Sequence, residues 1–110
     1  MAINYKVLGQ VAPTDTNNTN IYTVPSSTQT IISTISISNI TTSGTSYRIA
    51  VRPSGDTIGN KHWIAYDISL GGNDSISLTL GITMNASDIL TVRSGTSNSL
   101  AFSIFGAEIT

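Results

Sequence analysis

The stretch Ile64-Ala65-Tyr66-Asp67-Ile68-Ser69-Leu70-Gly71-Gly72-Asn73-Asp74-Ser75-Ile76-Ser77-Leu78-Thr79-Leu80 decides how the chain is read. Ile64, Tyr66, Ile68 and Leu70 recur at every second residue, and beyond Gly71-Gly72-Asn73-Asp74 the residues Ile76, Leu78 and Leu80 alternate with Ser75, Ser77 and Thr79. A period of two is the side-chain period of a strand, and Gly-Gly-Asn-Asp is a turn, so residues 62–80 predict a β-hairpin.

The same reading extends in both directions. Residues 3–9 alternate Ile3, Tyr5 and Val7 against Asn4 and Lys6, with Leu8 on the polar side before Gly9. Residues 13–20 form a turn-rich loop, and 21–24 a short strand ended by Pro25, which cannot donate to a ladder. Residues 30–40 are the longest run, with Ile31, Ile35 and Ile37 on one parity and Ile32 and Ile40 on the other. After Thr41-Thr42-Ser43-Gly44, Tyr47, Ile49 and Val51 resume on one face with Arg48, Ala50 and Arg52 on the other, predicting a second hairpin. Residues 53–61, with Gly55, Asp56, Gly59 and Asn60, have the composition of a long exposed loop. Residues 82–87 read as a crossover, and 88–93 and 100–109 add further strands around a turn at 94–99. About eight strands with turns every 8 to 12 residues or so, and no helical stretch, predict an all-β chain. The expectation is one β-sandwich domain over residues 1–110, jelly-roll or immunoglobulin-like in strand order, with no helix.

Composition narrows the function. Charged residues make up 10% of the chain, against about 25% in an average soluble domain, while Ser, Thr and Ile number 16 each. Hydroxyls therefore carry the polar duty between apolar positions. A mucin-like stalk would be Pro-rich and aperiodic, and this chain has three Pro and clear alternation. A net charge of −1 removes the electrostatic attraction on which nonspecific nucleic-acid or anionic-membrane binding depends, so neither partner is expected. No window approaches the ~20 apolar residues of a membrane helix, and residues 1–6 show no basic segment leading into an apolar run, so synthesis in the cytoplasm is expected. Without Cys there are no disulfides or thiolate metal sites, and the glycosylation patterns beginning at Asn17, Asn39, Asn73 and Asn85 are those that chance supplies in a sequence rich in Asn, Ser and Thr.

Almost nothing on the chain can do chemistry. His62 is the only imidazole, beside Lys61 and Trp63, and a metal there would need carboxylates from elsewhere. Asp15, Asp56, Asp74 and Asp88 lie in or beside turns, where a short carboxylate bonds nearby backbone amides. Asp67 sits inside a strand with parity opposite to Ile64, Tyr66 and Ile68, which predicts a bridge to Arg48, Arg52 or Arg93. No Asp-x-Asp run suits calcium, and the glycines precede strands rather than phosphate-binding helices. Neither an enzyme nor a cofactor nor a metal is expected. Trp63, Tyr66 and Tyr47 could line a sugar platform, which makes a host glycan-binding module the alternative from another class.

A more unusual signal is apolar character on both faces of single strands. Ile31 beside Ile32, Trp63 beside Ile64, Ile89 beside Leu90, and Ala101, Phe102, Ile104 and Phe105 exceed what one sandwich core covers. Loops or another subunit must cover the excess, and the low charge agrees with an interface. Ile31, Ile32, Trp63, Ile89, Phe102 and Phe105 are the candidate interface residues, and a homo-oligomer or lattice contact is expected.

Asn4-Tyr5-Lys6-Val7-Leu8-Gly9-Gln10 with Pro13, Tyr22-Thr23-Val24-Pro25 and Arg48-Ile49-Ala50-Val51-Arg52 resemble small virion structural proteins of tailed phages, especially those infecting marine cyanobacteria. Ile64-Ala65-Tyr66-Asp67, Leu78-Thr79-Leu80-Gly81-Ile82, Asp88-Ile89-Leu90-Thr91-Val92-Arg93 and Phe105-Gly106-Ala107-Glu108-Ile109 extend the likeness over nearly the whole chain. It is a likeness of strand pattern and carries no catalytic residue. The resemblance implies a β-rich part of the virion, assembled in the host cytoplasm: a capsid decoration or cement protein contacting the major capsid protein, or else a tail, neck or baseplate component contacting other virion proteins.

Overall fold

A computed structural model of the chain describes residues 1–110. Its strands are β1 (Ile3–Val11), β2 (Thr19–Thr23), β3 (Gln29–Asn39), β4 (Thr45–Arg52), β5 (Trp63–Leu70), β6 (Ser75–Leu78), β7 (Ile82–Met84), β8 (Ile89–Ser94) and β9 (Leu100–Ile109). Two 3₁₀ turns, Pro53–Gly55 and Asn60–His62, shape the β4–β5 loop, and there is no α-helix. All pairings are antiparallel. Sheet A runs β1-β9-β3-β6, with β7 continuing alongside β3, and sheet B runs β2-β8-β4-β5. Only the β4–β5 and β6–β7 connections stay within a sheet. Two antiparallel sheets interleaved in this way form a jelly-roll sandwich.

Both hairpins predicted from the sequence are corrected by this topology. β3 lies in sheet A and β4 in sheet B, and likewise β5 lies in sheet B and β6 in sheet A. Each pair is an arch across the sandwich, and the true hairpin is β4–β5, joined through residues 53–62. Alternation on both sides of a turn fits two strands side by side or two strands face to face across a core. The arches are held by buried polar groups. Asn39, 3% exposed, donates its side-chain amide to the carbonyls of Ser43 and Leu70 (2.9 and 3.2 Å) and accepts from the Thr41 amide and hydroxyl (3.0 and 2.8 Å). Gly72 brings the second arch so close to the first that a Cβ there would lie 2.2 Å from the Thr42 carbonyl oxygen.

Ile32, Ile35, Ile37, Leu100, Phe102 and Ile104 from sheet A pack against Tyr22, Tyr47, Ile49, Leu90 and Val92 from sheet B, with Val24, Leu70 and Met84 completing the core. Full burial of such side chains stabilises by about 1.5–3 kcal/mol each before conformational entropy is counted. Two candidate interface residues are thereby reassigned: Ile32 and Phe102 are 0% and 1% exposed within a single chain and belong to this core.

The facing of residues along β1 and β3 reverses partway, for a local cause. β1 skips one residue against β9 between Val7 and Gly9, and β3 skips one against β9 between Ile32 and Thr34. The extra residues, Leu8 and Ser33, are β-bulges at adjacent steps of β9 on either side of Phe105, and the Ser33 hydroxyl bonds the Phe105 carbonyl (3.1 Å). A bulge turns the alternation over. Before it Ile31 faces outward, and after it Ile35 and Ile37 face the core, although all three share one parity in the sequence.

Replacing Asn39 by Ala strands the Leu70 carbonyl and loosens both arches. A loss of about 2–3 kcal/mol is expected, read as a lowered urea midpoint with unchanged m-value.

Candidate protein interface

The outer face of sheet A is assembled by the two bulges. Register places Ile3, Tyr5 and Val7 of β1 opposite Ile109, Ala107 and Phe105 of β9, with Ile31 of β3 opposite Ala107 from the other side. These side chains project away from sheet B. Tyr5 is 83% exposed, Val7 51%, Ile3 47%, Ile31 39% and Phe105 37%. Ile3, Tyr5, Ile31, Ala107 and Ile109 line a shallow hollow on this face. Farther along, beyond the bulges, the face becomes a field of polar groups: Gln10, Ser36, Ser38, Ser75, Ser77 and Ser103. By register, no Asp, Glu, Lys or Arg projects from the outer face of sheet A. An apolar cluster beside neutral hydroxyls, with charge absent, is the chemistry of a contact surface.

Sheet B is finished differently. Its outer face carries Arg48, Arg52 and Arg93, and the β4–β5 loop folds back over part of it. Arg52 donates to the Thr91 hydroxyl (3.1 Å), the Asn20 side-chain oxygen (2.8 Å) and the Asp56 carbonyl (2.9 Å), tying the loop down. Ile89, named as an interface candidate, is half-buried against the Pro53–Gly55 turn of its own chain. Trp63, also half-buried, stands edge-on to Tyr66 with ring centres 5.3 Å apart. The Arg48 guanidinium lies 3.9 Å from the Tyr66 ring centre and 5.4 Å from that of Trp63. Of the rings that could have formed a sugar platform, Trp63 and Tyr66 thus already stack a cation of the same chain, and Tyr47 is buried in the core.

The expected bridge to Asp67 is made by Arg48, in a two-pronged pair at 2.6 and 3.1 Å. That bond holds the Asp67 carboxyl below its ordinary range. The turn aspartates also act as expected at three positions: Asp15 accepts the Asn17 amide, Asp74 that of Ser75, and Asp88 those of Ser54 and Asn85. Asp56 instead stands 3.8 Å from His62 Nε2. His62 is 5% exposed, its Nδ1 accepts the Gly59 amide at 2.9 Å, and its Nε2 has no hydrogen-bond partner within the chain. Its role is to brace the loop. No group of three or more His, Asp or Glu lies close enough together to hold a metal ion.

One polar cluster closes the sandwich beneath the apolar face. Glu108, the sole Glu, accepts from Lys6 Nζ (2.8 Å) and from the Tyr22 hydroxyl (2.5 Å), and Tyr22 also meets the Thr30 hydroxyl at 2.8 Å. The Lys6 and then the Tyr22 bond draw the Glu108 carboxyl below its ordinary 4.5 against the opposing effect of burial. Burial, followed by the bond to Glu108, pushes the Tyr22 hydroxyl up from 10.0 to about 12.

Of the six candidate residues, the structure brings only Ile31 and Phe105 together on one open surface. Ile3, Tyr5, Val7, Ala107 and Ile109 were missed, because an alternating apolar strand is core by default. The one signal was the break of alternation at Leu8-Gly9.

The buried cluster shapes the pH response, with the exposed Asp67–Arg48 pair adding to its acid side. Glu108 has a lower pKa folded than unfolded, so its stabilisation is present above about pH 4.5 and is lost as the pH falls below that. Tyr22 has a higher pKa folded, so its contribution is present up to about pH 10 and is lost on the way to 12. Chemical denaturation across pH 3–12 should show a plateau with these two limbs. Tyr22→Phe should shrink the alkaline limb, leaving the part due to Tyr47, which burial also raises. Comparison of the sequence with models of protein families and with curated proteins finds no match, which leaves this surface as the guide to what the protein does.

Proposed function

We propose that the protein is a structural component of a tailed-phage virion, working on the head as a decoration or cement protein through protein–protein contacts and without catalysis. The observation that carries this reading is the outer face of sheet A, where Ile3, Tyr5, Val7, Ile31 and Phe105 gather with no charge among them. The sequence likeness to small virion proteins supports it from a separate direction. A jelly roll by itself supports no function, since the fold hosts many.

The mechanism is adhesion. The apolar half of the face supplies contact area, and the neighbouring hydroxyls supply hydrogen bonds whose desolvation costs less than that of charges. Particle symmetry repeats the contact many times, so that individually weak bonds make a durable shell. The expected partner is the major capsid protein, and the expected location is the virion.

Quantitative mass spectrometry of purified virions should find this chain at a copy number comparable with that of the major capsid protein. A far smaller number would move it to the tail, neck or baseplate, and its absence would sink the virion reading. Ile31→Glu places a charge on the face at an exposed position. It should reduce incorporation at least about tenfold while shifting the melting temperature by only a few degrees.

A further inference from the structure

The apolar face ends at a sheet edge, and that edge is built differently from the others. The four edges of the sandwich are β1 and β6–β7 in sheet A, and β2 and β5 in sheet B. β2 has five residues and a register break between Asn20 and Tyr22. β5 has two register breaks and a left-handed Asp67 (φ 54°). β6 has four residues and is separated from the three-residue β7 by Gly81 (φ 63°). Short strands, bulges and twists of this kind blunt an edge against further pairing. β1 has nine residues and runs regularly from Ile3 to Val7.

The hydrogen-bond phase of β1 shows which groups lie open. Ala2 and Thr110 exchange both backbone bonds, each 2.9 Å. In an antiparallel ladder the mutual pairs recur at every second residue, so Asn4 and Lys6 bond β9. The N–H and C=O groups of Ile3, Tyr5 and Val7 therefore point away from β9 toward the free edge.

We infer that this edge pairs with the same edge of a second copy of the chain, β1 antiparallel to β1 about a two-fold axis through Tyr5. This deepens, and rests on, the reading of sheet A as the contact face. In that register Tyr5 meets Tyr5 of the second copy and Ile3 meets Val7 in both directions, each a mutual backbone pair. The one charge on the strand does not oppose the pairing. Lys6 is held by Glu108 of its own chain at 2.8 Å and faces Asn4 of the second copy rather than another Lys. Side chains opposite one another share a face, so the two apolar clusters join across the axis into one continuous surface on a doubled sheet. A strand of an unrelated protein would use the same open groups but would gain nothing from this two-fold match.

The purified full chain provides the test. Sedimentation equilibrium should give about twice the 11.6 kDa chain mass at micromolar concentration and above. Tyr5→Pro removes an N–H that no bond inside the chain uses, so circular dichroism should be unchanged while dimerisation weakens by roughly tenfold or more. The chain has no cysteine, so Tyr5→Cys offers a second readout. It should oxidise to a covalent dimer, because mutual pairs stand about 5.5 Å apart at Cα. Ser77→Cys, out on β6, should not. If Tyr5→Pro fails to fold, the cross-link decides. A monomer at high concentration, a dimer indifferent to Tyr5→Pro, or no Tyr5→Cys cross-link would overturn the inference. A monomer that is nonetheless abundant in virions would overturn only the pairing, whereas a dimer absent from virions would overturn only the virion reading.

Discussion

The double bulge across β9 is the constraint on which the surface of this protein depends. Leu8 inserts one residue opposite the Ile104–Phe105 step of β9 and Ser33 one opposite the adjacent Phe105–Gly106 step, and both neighbouring strands reverse their facing there. On one side of that line Ile35, Ile37, Phe102 and Ile104 enter the core, and on the other Ile3, Tyr5, Val7, Ile31 and Phe105 leave it. Gly106 sits at the line because β3 closes over it, and a Cβ there would run into the Ile31 carbonyl. Without the bulges the strict alternation of β1 and β3 would place each set of apolar residues on a single side.

What lies on the two outer faces then follows from covering. Sheet B is roofed in part by its own β4–β5 loop, pinned by Arg52 and braced by His62, and it carries all three arginines. Sheet A has no such roof and no charge. An unroofed charged face is ordinary, while an unroofed apolar one asks for a partner. The scarcity of charge along the chain is thus concentrated where contact would be most damaged by it. Beneath the apolar patch, Lys6, Glu108, Tyr22 and Thr30 satisfy one another, so the charged side chains of β1 and β9 are spent on the interior.

Particular residues show how far the sequence could be read. Apart from the three-residue β7, in a segment that reads as a crossover, the strands were legible, because Ile, Val and Thr at a period of two leave little else to form. Asp67 was legible too, since a carboxylate on the far parity of a strand needs a cation and the chain has few to offer. The partners of β3 and β5 were not, because turn residues say that the chain reverses and not whether it reverses within a sheet or across a core. Ile32 was misplaced for a related reason, since parity tells which residues share a face only while no bulge intervenes; Phe102 was misplaced because β9 is apolar on both faces and parity alone does not say which face meets the core.

The sequence by itself determined the all-β class, the single sandwich, the scarcity of reactive groups and the excess of apolar residues over what one core can hold. All of these depend on composition and on period, which are local. Tertiary structure decided the jelly-roll order, which isoleucines are core and which are surface, and the placing of Ile3, Tyr5 and Val7 beside Phe105 and Ile31. Those depend on register between strands far apart in the chain, and a one-residue slip in register carries no mark in either strand until the two are paired.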